Sequence, residues 1–349
     1  MRWIRIVAAG ISLPALVAAG GTGAEEKALG TRIVDQMNAL YGAHPGVRAN
    51  HATGAVFEGA FTPAEGADAL SSAVFLKGPP TPLTIRFSNA GGVPDAPDTH
   101  SSIGGIRGMA IKFHPANRGE NDIVCISANG FPVATGEDFL ALLQAVGGSG
   151  PTPIDTFLSS HPAAAAFLTE SRPVAVSYGT QPFFGVNALK FTNAQGISKF
   201  GRYRIVPESG PAYVSDDEAA KRPGTALADN LRASLEKGPV KFRLRVQLAA
   251  PDDPTTDATK VWPDSRPNVE LGEIAITRTL DTKRGRERTP LHANQPDEGN
   301  RRFGRSDPEH AYRSLWRILR PAHKMSSCLP QCQPIREGRR FERNRTERR

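Results

Sequence analysis

Cysteine is scarce in this sequence, with three residues in 349. That excludes a domain framed by disulfides. Cys125 stands alone in the body, and Cys328 and Cys332 form a C-x3-C pair without companion histidines at ligand spacing, so no zinc motif is written there. No internal run reaches the ~18 apolar residues of a membrane-spanning helix. No long-period repeat is present, which excludes solenoids and propellers. The basic C-terminal stretch lacks interleaved aromatics and any binding module, which argues against nucleic acid as a partner.

The formal charge of +8 misleads about the body of the protein. Residues 283–349 hold 18 Lys+Arg against 8 Asp+Glu, which leaves 25 basic and 27 acidic groups in residues 1–282. The body is close to neutral and the tail alone is basic. With 39% hydrophobic and 22% charged residues, the composition is that of a globular protein. The N-terminus, MRWIRIVAAGISLPALVAAGGTGAEE, places two arginines before an apolar stretch ending in small residues. This is the pattern of a secretory signal peptide over residues 1–24, and it predicts a bacterial periplasmic or secreted protein without a membrane span after cleavage.

Residues 25–41 carry Ile33, Met37 and Leu40 at helical spacing. From Ala55 to Val133 the pattern turns to short runs, AVFEGAF, LTIRFSN, GMAIKFH and DIVCIS, separated by Gly, Pro and Asn. These predict an antiparallel meander or barrel. GEDFLALLQAV predicts a helix with an acidic first turn, and a second helix starts near Ala226 with Gly238 as its stop. ISKFGRYRIVP, VKFRLRVQLA and VELGEIAITRTL predict three further strands. The predicted fold class is α+β: an antiparallel β-barrel with helical additions over residues 25–282.

One histidine stands out. Alone, His51 would be read as a core histidine satisfied by backbone. It lies, however, in R-x-x-H-A-x-G (Arg48, His51, Ala52, Gly54), followed by Gly59 and Phe61 as G-x-F. R-F-S follows at Arg86, Phe87 and Ser88, then R-G-x-A-x-K-F at Arg107, Gly108, Ala110, Lys112 and Phe113, D-x-V at Asp122 and Val124, and F-P-V from Phe131 to Val133. This order of motifs, from about residue 30 to about residue 280, resembles the haem catalases, and within them the smaller catalase-related peroxidases.

The resemblance implies a haem-catalase-like barrel holding haem b. Breaking a peroxide O–O bond needs a proton moved from one oxygen to the other, which an imidazole can do as base and then acid. The resemblance gives that role to His51 and makes Ser88 the hydroxyl that orients its ring. Arg48 and Arg86 would hold the haem carboxylates, since guanidinium and carboxylate pair in two-pronged geometry. Phe131 would join them in cofactor binding. The partners implied are peroxide and a small organic electron donor, and the oligomeric state is left open.

Three departures qualify the resemblance. Ser127 stands where the large catalases carry an asparagine, with Asn129 two residues on, and Asn50 replaces an apolar residue. Both changes favour a peroxidase over rapid dismutation of peroxide. The third departure concerns the axial ligand, which in haem catalases is a tyrosinate in R-x-x-x-Y. Tyr312 is the candidate for iron in the corresponding region, but Pro308 and not arginine stands four residues before it.

The family pattern stops after TRTLDT, where arginine becomes the commonest residue. One reading is a basic tail whose high charge and low apolar content predict disorder. The other is a shift of reading frame between Asp281 and about Pro290. With suitable codons for RSDPEHAYRSLWR, dropping one base gives DPILSMRIAAYG, which contains R-x-x-x-Y. Two alternatives to a working peroxidase stay open: a catalase-fold protein lacking its axial tyrosine, with little or no haem binding, and an unrelated secreted barrel for apolar ligands.

Overall fold

Period-two alternation of apolar and polar residues builds the wall of this protein. The computed structural model describes residues 28–99, 105–116 and 121–280. The proposed signal peptide, Tyr312, Cys328, Cys332 and the basic tail all lie outside the described residues. Nine strands run in chain order: β1 (Gly54–Pro63), β2 (Thr81–Asn89), β3 (Arg107–Phe113), β4 (Asn121–Ile126), β5 (Phe183–Phe184), β6 (Leu189–Thr192), β7 (Ser198–Pro207), β8 (Val240–Leu248) and β9 (Asn268–Leu280).

All neighbouring strands are antiparallel, in the order β5-β4-β3-β2-β1-β9-β8-β7-β6, and β5 also pairs with β7. That last pairing closes eight strands into a barrel and leaves β6 hydrogen-bonded to β7 alone. The predicted antiparallel barrel is therefore observed. Gly59 shows one local demand of the wall. At the bulge where β1 shifts register against β9, a β-carbon on Gly59 would sit 2.1 Å from the Ala275 carbonyl oxygen. Only glycine lets the two backbones approach that closely.

The inward positions of the strands fill the barrel. Phe57, Phe61, Phe87, Phe113, Phe183, Phe242, Ile85, Met109 and Ile111 are each at most 1% exposed. Phe87 meets Phe57 edge-on at 5.8 Å and stacks on Tyr178 at 5.0 Å, and such ring pairs add about 0.5–1.5 kcal/mol each beyond burial. The core thus fixes β1 and β2, the two strands that carry the candidate site.

Among the described residues, six α-helices lie outside: α1 (Leu29–Tyr41), α2 (Gly136–Gly147), α3 (Ile154–Ser160), α4 (Pro162–Thr169), α5 (Asp216–Ala219) and α6 (Ala226–Leu235). The predicted acidic first turn of α2 is capped by Thr135, whose hydroxyl accepts the Asp138 N–H at 3.0 Å. Met37, Leu40 and Tyr41 of α1 pack on Leu143 of α2. Leu227, Ala228 and Leu231 of α6 join the barrel core. The start of α6 is tied to the rest by Asp98, whose carboxylate accepts the N–H groups of Leu227 at 3.1 Å and Ala228 at 2.9 Å.

Candidate functional site

The loop from Arg48 to Thr53 leads directly into β1, so it is set by one rim of the barrel. Three small residues share that rim in register. Gly54 of β1 pairs with Ser88 of β2, and Ser88 pairs with Gly108 of β3. His51 lies over this row. Its Nδ1 shares a 3.0 Å hydrogen bond with Ser88 Oγ, and Ser88 is 4% exposed. The two residues predicted to act together, 37 positions apart in sequence, are thus brought into contact.

The neighbouring glycines make the space. A β-carbon on Gly108 would stand 3.0 Å from both Cε1 and Nδ1 of His51 and 2.9 Å from Ser88 Oγ. A β-carbon on Gly54 would stand 2.8 Å from Nη2 of Arg86. The small residues of R-x-x-H-A-x-G and R-G-x-A are therefore the floor on which the imidazole and one guanidinium rest.

Arg86 points from β2 toward the loop, and its Nη2 donates to the backbone carbonyl of His51 at 2.7 Å. Arg48 is half-buried and close enough to Arg86 for each cation to oppose the other. Burial first, and then Arg48, lowers the pKa of Arg86 to about 10, with partial compensation from Tyr178. Burial also lowers that of Arg48. Among the described residues neither guanidinium has a carboxylate partner. The same cations act on His51. Burial first, then Arg86 and Arg48, hold its imidazole down to about 4, so the ring is neutral at ordinary pH. Its Nδ1 is occupied by Ser88, which leaves Nε2 as the nitrogen open to chemistry.

This arrangement fits one side of a flat dicarboxylate macrocycle such as haem. It offers a neutral imidazole carried on glycines, and two neighbouring cations that lack acidic partners among the described residues. None of the four described tyrosines stands in R-x-x-x-Y. Burial raises the pKa of Tyr41, Tyr178, Tyr203 and Tyr213, and the Tyr178 hydroxyl is already engaged by Asn89 while its ring stacks on Phe87 in the core. Phe131 is half-buried in the core beside α2, where its ring meets Phe139 at 5.3 Å and Phe167 at 6.5 Å. Its observed partners are thus core rings. Ser127 is also engaged, because its hydroxyl accepts the Arg107 N–H at 2.9 Å.

Other motif residues have structural tasks that their spacing did not reveal. Lys112 of β3 pairs with Asp122 of β4 at 3.0 Å, joining two motifs across one ladder. Arg107 is 2% exposed and lies within electrostatic reach of Tyr178 and Asp98. The Tyr178 hydroxyl donates to Asn89 Oδ1 at 3.0 Å, and Asn89 pairs with Arg107 one step beyond the Ser88–Gly108 pair. A buried polar group thus backs the rim. Asn50, which stands where the resemblance expects an apolar residue, accepts the backbone N–H groups of His51 and Gly91 at its Oδ1.

The family model described as Catalase matches residues 32–283. The catalase-related peroxidase of Mycolicibacterium paratuberculosis is 36% identical over 256 residues, covering 72% of this chain and 80% of that protein. The catalase-related peroxidase of Synechococcus elongatus is 29% identical over 289 residues, covering 79% and 84%. Catalase isozyme 2 of Hordeum vulgare is 29% identical over 260 residues, and the match spans 51% of that longer protein. The solved structure of a bacterial catalase superposes with a TM-score of 0.58 at 20% identity, covering 79% of this chain and 59% of that one, a likeness of fold.

Proposed function

The chain belongs to the catalase family, and on that premise we propose that it is a haem b peroxidase, reducing hydrogen peroxide or an organic hydroperoxide with a small organic electron donor. The single observation that carries the reading is a neutral imidazole held by a buried hydroxyl beside two arginines that lack acidic partners among the described residues. The haem, when bound, supplies the redox chemistry that cleaves the O–O bond.

The residues of the chain do the rest. His51 accepts the proton of the nearer peroxide oxygen at Nε2 and returns it to the departing oxygen, which leaves as water or alcohol. The donor is oxidised by two electrons, and its two protons convert the remaining oxygen to water. A neutral ring is required at the first of these steps, and burial with two flanking cations keeps it neutral. Ser88 holds the ring by Nδ1 so that Nε2 faces outward. Arg48 and Arg86 would bind the haem carboxylates, and this neutralisation would offset the cost of burying two cations side by side. Phe131 would contribute to cofactor binding only by the family resemblance, since its ring packs on Phe139 and Phe167.

The test uses haem-loaded protein. His51→Gln should lower peroxide-dependent donor oxidation by ~100-fold or more, the usual scale for a positioned acid–base group. Unchanged turnover would remove His51 from the mechanism.

A second reading has one observation in its favour. None of the described tyrosines stands in R-x-x-x-Y, and the family match ends at residue 283. On this reading the chain as written keeps the barrel and the His51 side of the site but loads haem poorly. A shift of reading frame near residue 281 would account for both facts. Hemin titration followed by Soret absorbance separates the two readings, since only the first gives stoichiometric loading. The arginine-led N-terminus supports export to the periplasm or beyond, which cell fractionation would check.

A further inference from the structure

We propose that Asn50 is a positioning residue whose side-chain carbonyl pins His51 in the backbone conformation that carries its ring over Gly108. The inference rests on the reading of His51 as the acid–base group. It concerns geometry, however, and can be tested without turnover.

His51 has φ of 54°, and among the described residues it is the only one other than glycine with a positive φ. For an L-residue that conformation brings the β-carbon close to its own backbone, and it persists only where the surroundings over-determine it. Here they do so on both sides of the residue. The His51 carbonyl accepts Arg86 Nη2 at 2.7 Å, and the next N–H, of Ala52, donates to the Gly91 carbonyl at 3.0 Å. The His51 N–H donates to Asn50 Oδ1 at 2.9 Å, and the same oxygen accepts the Gly91 N–H at 2.6 Å.

One atom of Asn50 therefore joins the histidine loop to the turn after β2. Among these contacts it alone holds residue 51 by its own N–H. Without it, nothing in that set stops the peptide before His51 from rotating. The ring would then follow the backbone out of the space that Gly108 leaves for it. An apolar residue of similar size could fill the volume, but it would leave both N–H groups without their acceptor.

The experiment uses the full chain without hemin, labelled with 13C at histidine and glycine, and read by NMR. The charged or titratable groups facing the ring are Arg48 and Arg86, with the neutral Ser88 on Nδ1. In the parent, the His51 ring proton on Cε1 should show a nuclear Overhauser contact to the Gly108 α-protons. In Asn50→Ala this contact should vanish, and the His51 titration midpoint should rise by ~1 pH unit or more, ~10-fold in proton affinity, as the ring loses its burial and its closeness to the two arginines. Asn50→Asp keeps an acceptor oxygen in place and should keep the contact.

A folded Asn50→Ala protein with the parent's contact and midpoint overturns the proposal. So does a folded Asn50→Asp protein that has lost the contact, and this variant decides the matter alone if the alanine variant does not fold. Failure of the peroxidase reading would appear instead as absent turnover with the contact intact.

Discussion

Replacing His51 with glutamine tests the electrostatics of the site through stability alone. Glutamine binds no proton in either the folded or the unfolded state. In the parent, the folded imidazole is held down to about 4, whereas an unfolded histidine titrates near 6.5. As pH falls through that window, the unfolded chain takes up a proton that the folded site refuses, so stability is lost on acidification. Between about pH 7 and about pH 4.5 the linkage amounts to about 2.5 kcal/mol for a shift of this size. Water reaching a half-buried ring reduces it to about 2 kcal/mol. The seven remaining histidines are common to both proteins and cancel in the comparison. Urea denaturation of the unloaded chains at the two pH values measures the difference. His51→Gln should lose about 2 kcal/mol less than the parent over this range, whatever its stability at neutral pH. Equal losses in the two proteins would show that His51 is an ordinary solvated histidine.

Three further outcomes are expected. Arg86→Leu should speed hemin transfer to apomyoglobin by ~10-fold or more, because a carboxylate loses a charge-assisted partner; transfer at the parent rate would make Arg86 a strand residue without a haem role. Gly108→Ala places a methyl group 3.0 Å from the His51 ring and should cut peroxide-dependent turnover of the haem-loaded protein by ~10-fold while costing under ~2 kcal/mol in urea denaturation; full activity would mean that the ring does not sit over Gly108. The chain as written should bind less hemin, by Soret absorbance per chain, than a version with the frame restored near residue 281. Equal loading, lost on Tyr312→Phe in the version as written, would make Tyr312 the ligand and sink the frame argument.

The barrel was legible because its strands alternate. AVFEGAF, LTIRFSN and GMAIKFH place large apolar residues inward at period two, and those positions form the core. The two-residue β5 has no such pattern, although it is the strand that completes the ring. The short α3 and Ala-rich α4 carry their buried and partly buried apolar residues at i, i+3, i+4 (Ile154, Phe157 and Leu158; Ala164, Phe167 and Leu168), a pattern too brief to read as helix from the sequence. Contact between His51 and Ser88 came from the family resemblance, because no local spacing links positions 37 residues apart. The burial of Arg107 had no signal at all, arginine being mostly exposed in proteins. Asn50 was noticed as a departure, but the role of its oxygen depends on the turn at Gly91, which only the folded chain brings near.

The thinness of β5 has a consequence for how this barrel breathes. On one flank it meets β4 through Ile126 and Phe184 alone, and on the other it meets β7 through Phe183 with Ile205 and Phe184 with Arg204. Elsewhere the long strands are laced along most of their length. A cylinder closed by so narrow a seam should part there before its other staves separate, with the Arg204 guanidinium over the Phe184 ring as a side-chain clasp. Amide exchange at residues 183–184 should then outpace exchange in β1 and β2, on which the rim holding His51 and Ser88 stands. Rupture at the seam would leave that rim intact, so the protein can flex on one side while its chemistry stays rigid on the other.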